Sequence, residues 1–112
     1  MRKISIVILF LLMFAPGCEK RNPDIPGCID DKIDQFKKST VCDSGSYVAV
    51  YTFQGENVYV FAEGTCGADL GATVYSENCY YLGLLGGISG NTFISGVKFY
   101  DYAKLVKRIW TN

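Results

Sequence analysis

SYVAVYTFQ (residues 46–54) and NVYVFAE (residues 57–63), separated by Gly55-Glu56, decide the fold. Both runs are dense in Val, Tyr and Phe, the residues that fit a pleated and buried surface. Glycine at the first turn position predicts a type II′ hairpin with Gly55-Glu56 as its loop. In that register Phe53 faces Val58, Tyr51 faces Val60 and Ala49 faces Ala62. The other face then pairs Thr52 with Tyr59, Val50 with Phe61 and Val48 with Glu63. Both faces are apolar. A half-exposed antiparallel hairpin alternates apolar and polar residues. This one therefore needs cover on both sides, or shows aromatics to solvent as a contact surface.

Around the hairpin the chain offers little material. Ile29, Ile33 and Phe36 stand at i, i+4 and i+7, one face of a helix, with Asp30, Asp31, Asp34, Lys37 and Lys38 on the other. Acid near its start and lysine near its end complement the helix dipole. The three aspartates read as a solvated face, because no Gly-containing loop or distant Glu completes a calcium pattern. Beyond the hairpin, ATVYS (72–76) and CYYL (79–82) around Glu77-Asn78 predict a second hairpin. Residues 83–96 hold five of the chain's twelve glycines. They lack the spacing and the lysine of a phosphate loop, which leaves turns, with a backbone nest for a small anion as the alternative. At the C-terminal end Tyr102, Leu105 or Val106, and Ile109 form a stripe that predicts a helix over 102–110, capped by Asp101, with Trp110 closing the core. The expected fold class is α+β: a small antiparallel sheet of two hairpins packed with an N-terminal and a C-terminal helix.

The N-terminus reads as an address. Met1-Arg2-Lys3 is a basic n-region, and residues 4–14 are apolar except for Ser5. As a helix they would span roughly 16 Å, against roughly 30 Å of hydrocarbon, which suits a signal-peptide core. Ala15-Pro16-Gly17-Cys18 follows and resembles a bacterial lipobox, with Leu replaced by Ala15. An ordinary secretory cut after Gly17 is the alternative. Five cysteines is an odd number for an exported chain. Lipid on Cys18 leaves an even set, Cys28, Cys42, Cys66 and Cys79. The expected organisation is a lipoprotein signal peptide over 1–17, lipidated Cys18 with a charged, Pro-containing tether over 18–26, and one domain over 27–112. That places the protein in a bacterial cell envelope, on the periplasmic or cell-surface side.

A domain this short buries only about 60–65% of its unfolded surface, so two disulfides are a useful staple. Four cysteines allow three connectivities. Sequence-local pairing, Cys28 with Cys42 and Cys66 with Cys79, would close loops of about 15 residues, each contributing roughly 3 kcal/mol. A metal site is the weaker reading, with no CxxC and no histidine in the chain.

The cysteines and glycines also carry a resemblance. Cys66-Gly67-Ala68-Asp69, Val74-Tyr75-Ser76-Glu77-Asn78-Cys79, Leu82-Gly83 and Gly86-Gly87-Ile88-Ser89-Gly90 belong to it. So do Cys28-Ile29 with Ile33, the run YVAVYTFQGENVYVF, and Ile109-Trp110. Together they resemble small lipoproteins of Bacteroidetes-type bacteria, the DUF6970-like domain of unknown function. The resemblance implies an envelope lipoprotein and brings no catalytic residue with it.

Composition narrows the function. The formal charge is zero, and removal of a leader with Arg2 and Lys3 leaves about −2. No basic stripe of the kind nucleic acid requires is present. Absence of histidine removes Ser-His and Cys-His nucleophiles. Carboxylate pairs drawn from Asp43, Glu63, Asp69 and Glu77 are what remains for a small hydrolase, and none sits in a signature. No cofactor is implied. The expectation is a non-catalytic envelope lipoprotein that binds or inhibits an envelope or extracellular protein or ligand. A structural accessory of an envelope complex is the alternative. Tyrosine supplies large contact area with a polar tip, so Tyr47, Tyr51, Tyr59, Tyr80 and Tyr81 are the candidate binding surface.

Overall fold

The computed structural model describes residues 24–112. Cys18, the 1–17 leader and most of the tether lie outside the described residues. Helix α1 (Gly27–Ser39) leads into β1 (Tyr47–Phe53), β2 (Glu56–Ala62), β3 (Gly71–Ser76) and β4 (Tyr81–Gly86). The short strands β5 (Phe93–Ile94) and β6 (Val97–Lys98) follow, then a one-turn helix α2 (Phe99–Tyr102) and β7 (Lys104–Thr111). Five strands form one antiparallel sheet in the order β4-β3-β2-β1-β7, and β5 pairs with β6.

The β1–β2 hairpin forms, with its two-residue loop one residue earlier than expected. Tyr51 pairs with Val58 and Ala49 with Val60, and the loop is Gln54-Gly55. Both loop residues have positive φ (54° and 79°), as a type I′ turn requires. The same solution recurs at Ser95-Gly96 (52° and 78°) between β5 and β6. Each predicted pair is displaced by two residues. Side chains alternate with period two, so that displacement leaves every residue on its expected face.

Both faces are covered. On one, Val48, Val50, Tyr59 and Phe61 are buried under Ile25, Ile29 and Ile33. Phe36 of α1 meets Phe61 and Trp110 edge-on, at ring-centroid distances of 5.4 and 6.0 Å. On the other face, Phe53, Val58, Val60, Ala62, Val74 and Leu85 are sealed by Ile94 and Phe99. Phe99 is fully buried, 4.9 Å from Phe53 and 5.3 Å from Tyr51 between ring centroids. Cover on this second face thus comes from the glycine-rich segment and its hairpin, with only one helical turn.

The predicted C-terminal helix is a strand. Residues 104–111 pair antiparallel with β1, and Asp101, expected as a cap, is an exposed residue of α2. The register slips at two places, so that Val106 and Ile109 each lie between paired residues as bulges. Trp110 packs against the α1-side core as expected. Asn112 latches the chain end: its Nδ2 donates to the Cys42 carbonyl (2.8 Å), its Oδ1 accepts the Ser46 N–H (2.9 Å), and its own N–H donates to the Ser46 carbonyl (3.1 Å). The fully buried Ser46 hydroxyl donates to the Glu63 carbonyl at 2.8 Å.

The two disulfides are Cys28–Cys79 and Cys42–Cys66. The first ties the first turn of α1 to the β3–β4 turn, and the second ties the α1–β1 loop to the β2–β3 loop. Sequence-local pairing is replaced because the helix lies across the sheet and brings Cys28 over the far hairpin. Separations of 51 and 24 residues correspond to roughly 4 and 3.5 kcal/mol of loop-closure entropy.

Two outcomes are expected. Peptide mapping of the unreduced protein yields the cross-linked pairs Cys28–Cys79 and Cys42–Cys66, with no Cys28–Cys42 species. Asn112→Ala lowers the urea unfolding free energy by about 1–3 kcal/mol, since it strips partners from the Ser46 N–H and Cys42 carbonyl.

Candidate functional site: a glycine-floored cleft walled by tyrosine

At the end of the sheet where β1 begins, the second covering layer leaves a cleft of about 300 Å³. Its walls include Tyr47, Tyr100, Leu70, Leu85, Asn91 and Thr92. Five glycines, at 45, 64, 71, 86 and 90, shape the rest. Two of them show why no other residue serves. A Cβ on Gly71 would lie 2.6 Å from the Leu85 carbonyl oxygen and 3.0 Å from the Gly87 nitrogen, so β3 and β4 meet there only without a side chain. Gly64 has φ +105°, and a Cβ would sit 3.0 Å from the Cys42 sulfur.

Asn91 holds the glycine-rich loop against β4. Its Nδ2 donates to the carbonyls of Leu84 and Phe93, both at 2.8 Å. Its backbone exchanges hydrogen bonds with Gly86 (2.7 and 3.3 Å). The outward Leu84 carbonyl and the Gly86 backbone groups of β4 are thereby occupied, and the loop is fixed as one wall of the cleft.

The tyrosine wall is a cluster of neighbouring phenols. Tyr47 lies beside Tyr51 and Tyr100, and the Arg108 guanidinium lies 3.9 Å from the Tyr47 ring centroid. Tyr51 and Tyr100 meet edge-on, 6.2 Å between centroids. Desolvation, then the neighbouring Tyr47, pushes the Tyr51 hydroxyl above its ordinary value, with Arg108 pulling the other way. Desolvation is also the largest cause at Tyr100, whose hydroxyl is pushed up to about 12. These phenols therefore act as neutral donors. No lining residue is ionised. A charge left unpaired in such a place is costly, so the cleft suits an uncharged, partly apolar ligand or side chain.

The five tyrosines singled out from sequence do not form one surface. Tyr59 is 2% exposed and belongs to the α1-side core, its hydroxyl raised by burial and then by the charge of Glu77. It is a packing residue and leaves the candidate set. Tyr47 and Tyr51 are half-buried on the Phe99 side, whereas Tyr80 and Tyr81 are exposed at the start of β4. Tyr100 joins Tyr47 and Tyr51 in their place. The signal for it was its position next to Phe99, one neighbour buried and the other turned outward. The four carboxylates are also dispersed. Glu63 lines a groove with Lys32 and Phe36, Glu77 sits in the β3–β4 turn, Asp43 beside Cys42, and Asp69 in the loop before β3.

The family model described as "Domain of unknown function (DUF6970)" matches residues 34–112. No curated protein and no solved structure matches the chain.

The raised phenol gives a pH signature. A tyrosine whose folded value exceeds its unfolded one favours folding below about pH 10, and that contribution fades as pH rises through about 12. Ultraviolet titration of the folded protein is expected to show an ionisation near pH 12 that is missing in Tyr100→Phe, and wild-type stability falls between pH 10 and 12.

Proposed function

The chain belongs to the DUF6970 family of domains of unknown function, and from that premise we propose a non-catalytic binding module held at a bacterial envelope by lipid on Cys18. The cleft between Tyr47 and Tyr100 is its recognition surface. The observation that carries this reading is the cleft itself, a concavity lined by five closely packed glycines and by the hydroxyl-bearing side chains of Tyr47, Thr65, Thr92 and Tyr100. Its volume is at the small end for ligand sites, which suits a compact neutral ligand or one anchoring side chain of a protein partner.

Supporting the address are the leader pattern of residues 1–17, cysteine parity, and two disulfides, which point to an oxidising, non-cytoplasmic compartment. No helix among the described residues is long and apolar enough to cross a membrane. A lipid on Cys18 supplies the attachment in this reading.

Intact mass of the protein from its own host's membranes tests the anchor. A chain beginning at Cys18, heavier by a diacyl- or triacyl-glyceryl group and alkylated at four thiols only after reduction, supports it. An unmodified soluble chain with a free Cys18 thiol overturns it. Capture from solubilised envelope tests the cleft: Tyr47→Ser with Tyr100→Ser is expected to lose at least tenfold of whatever the wild type retains. Equal capture by both proteins removes the cleft as the recognition surface.

A further inference from the structure

One stretch of the chain carries no charge at all. Residues 78–97 include neither an acid nor a base, whereas residues 24–112 as a whole hold seven basic and ten acidic residues, a net −3. Two copies of the domain therefore repel each other over much of their surface and are spared that repulsion here. Within the stretch, Gly87-Ile88-Ser89-Gly90 turns the chain between Gly86 and Asn91, which pair across the turn. Ile88 is 90% exposed, the most exposed of the large apolar side chains among the described residues.

This knob stands at the rim of the tyrosine-walled cleft. Gly86 and Gly90, two residues to either side of Ile88, both line the cleft, so knob and cleft are at most about 7 Å of chain apart. Ile88 itself is not among the lining residues. What the cleft accepts is what Ile88 offers. Its lining holds no ionised group, Leu70, Ala72 and Leu85 supply apolar surface, and its volume of about 300 Å³ leaves ample room for an isoleucine side chain. Asp69 precedes Leu70 but turns its Oδ1 towards Gly67, 3.5 Å from where a Cβ would stand there. Tyr100 of the cleft wall and Phe93, next in sequence to the lining Thr92, are 52% and 50% exposed and add ring surface.

We propose that the side chain anchored in the cleft is Ile88 of a second copy of this chain, inserted reciprocally about a two-fold axis at the rim. The inference rests on the reading of the cleft as a recognition surface, and it names the partner. A knob and a hole on distant parts of a surface link copies into open chains, whereas neighbours on one rim close the assembly at two. Each copy then completes the site of the other. The contact is small. A half-exposed ring or a nearly bare isoleucine offers roughly 100–150 Å², and three of these fall short of the roughly 800 Å² per partner of a standard interface. The expected product is a reversible dimer with a dissociation constant of about 10–100 µM.

Sedimentation equilibrium of the full chain isolated from its host, in a density-matched neutral detergent, tests this. The wild type is expected to pass from monomer to dimer across about 10–100 µM. Ile88→Asp and Thr65→Arg, both at exposed positions, are each expected to weaken dimerisation at least tenfold and to leave the unfolding temperature unchanged. Their equimolar mixture separates a knob in a cleft from a merely adhesive patch. A mixed dimer keeps one intact isoleucine-in-cleft contact and sets the introduced aspartate against the introduced arginine, so association recovers at least fivefold over either variant alone. A wild type that is still monomeric at ~1 mM, an Ile88→Asp dimer of unchanged strength, or a mixture no better than its components overturns the proposal. A monomeric wild type that still needs Tyr47 and Tyr100 for capture from solubilised envelope keeps the cleft as a recognition surface and removes only the second copy as its occupant. If capture is also indifferent to Tyr47 and Tyr100, the reading of the cleft falls with it.

Discussion

Two-sided burial of the β1–β2 strand pair is the constraint to which the rest of the domain answers. Val48 and Val60 point to opposite faces, and both are completely shielded from water. Fully burying a side chain of this size is worth about 1.5–3 kcal/mol, so neither face can be left open in a chain this short. One helix is enough for one face, because Ile29 and Ile33 fall over Val48, Val50 and Phe61. The other face is broader, running from Phe53 to Leu85, and is closed by a thin layer whose main plugs are Ile94 and Phe99. Each disulfide fastens a loop at the border of these layers, where few apolar contacts remain to do so.

An exposed sheet edge invites further strands, and both edges here are blunted by different means. Asn91 occupies the outward Leu84 carbonyl and the Gly86 backbone groups of β4 with its side chain and its own backbone. On β7 the two bulges and the exposed Lys104 and Lys107 disrupt and repel an incoming strand. Recognition is thereby pushed from the backbone edges to side-chain surfaces such as the tyrosine-walled cleft.

Much of this was legible in the sequence, and the exceptions share a cause. The β1–β2 faces were readable because burial of both sides depends on parity, which survived a two-residue error in register. The turn was misplaced because Gln54 adopts a positive φ that a search for glycine overlooks. Strand β7 was mistaken for a helix for a sharper reason. Its bulges place Lys104, Lys107 and Trp110 against one face of β1, and Leu105, Arg108 and Thr111 against the other. A strand with that slip every third residue repeats at a spacing of three, close to the 3.6 of a helix. Disulfide pairing was hidden as well, since it depends on where α1 crosses the sheet.

The cleft was the least legible feature, because its walls come from separate segments brought together only by the fold. Composition nonetheless constrained its chemistry. Glycines clustered in residues 83–96 let β4 and its following loop approach β3 closely, and a layer built so thinly cannot extend over the whole sheet. It stops short at Tyr47, and the aromatic rings there fill part of the gap. With no acid or base among the lining side chains, hydroxyls do the polar work. Tyrosine hydroxyls are ordinarily protonated at neutral pH, and desolvation raises those of Tyr51 and Tyr100 further. The site thus presents hydrogen-bond donors on an apolar floor at any pH an envelope meets, and its selectivity must come from shape and hydrogen bonding.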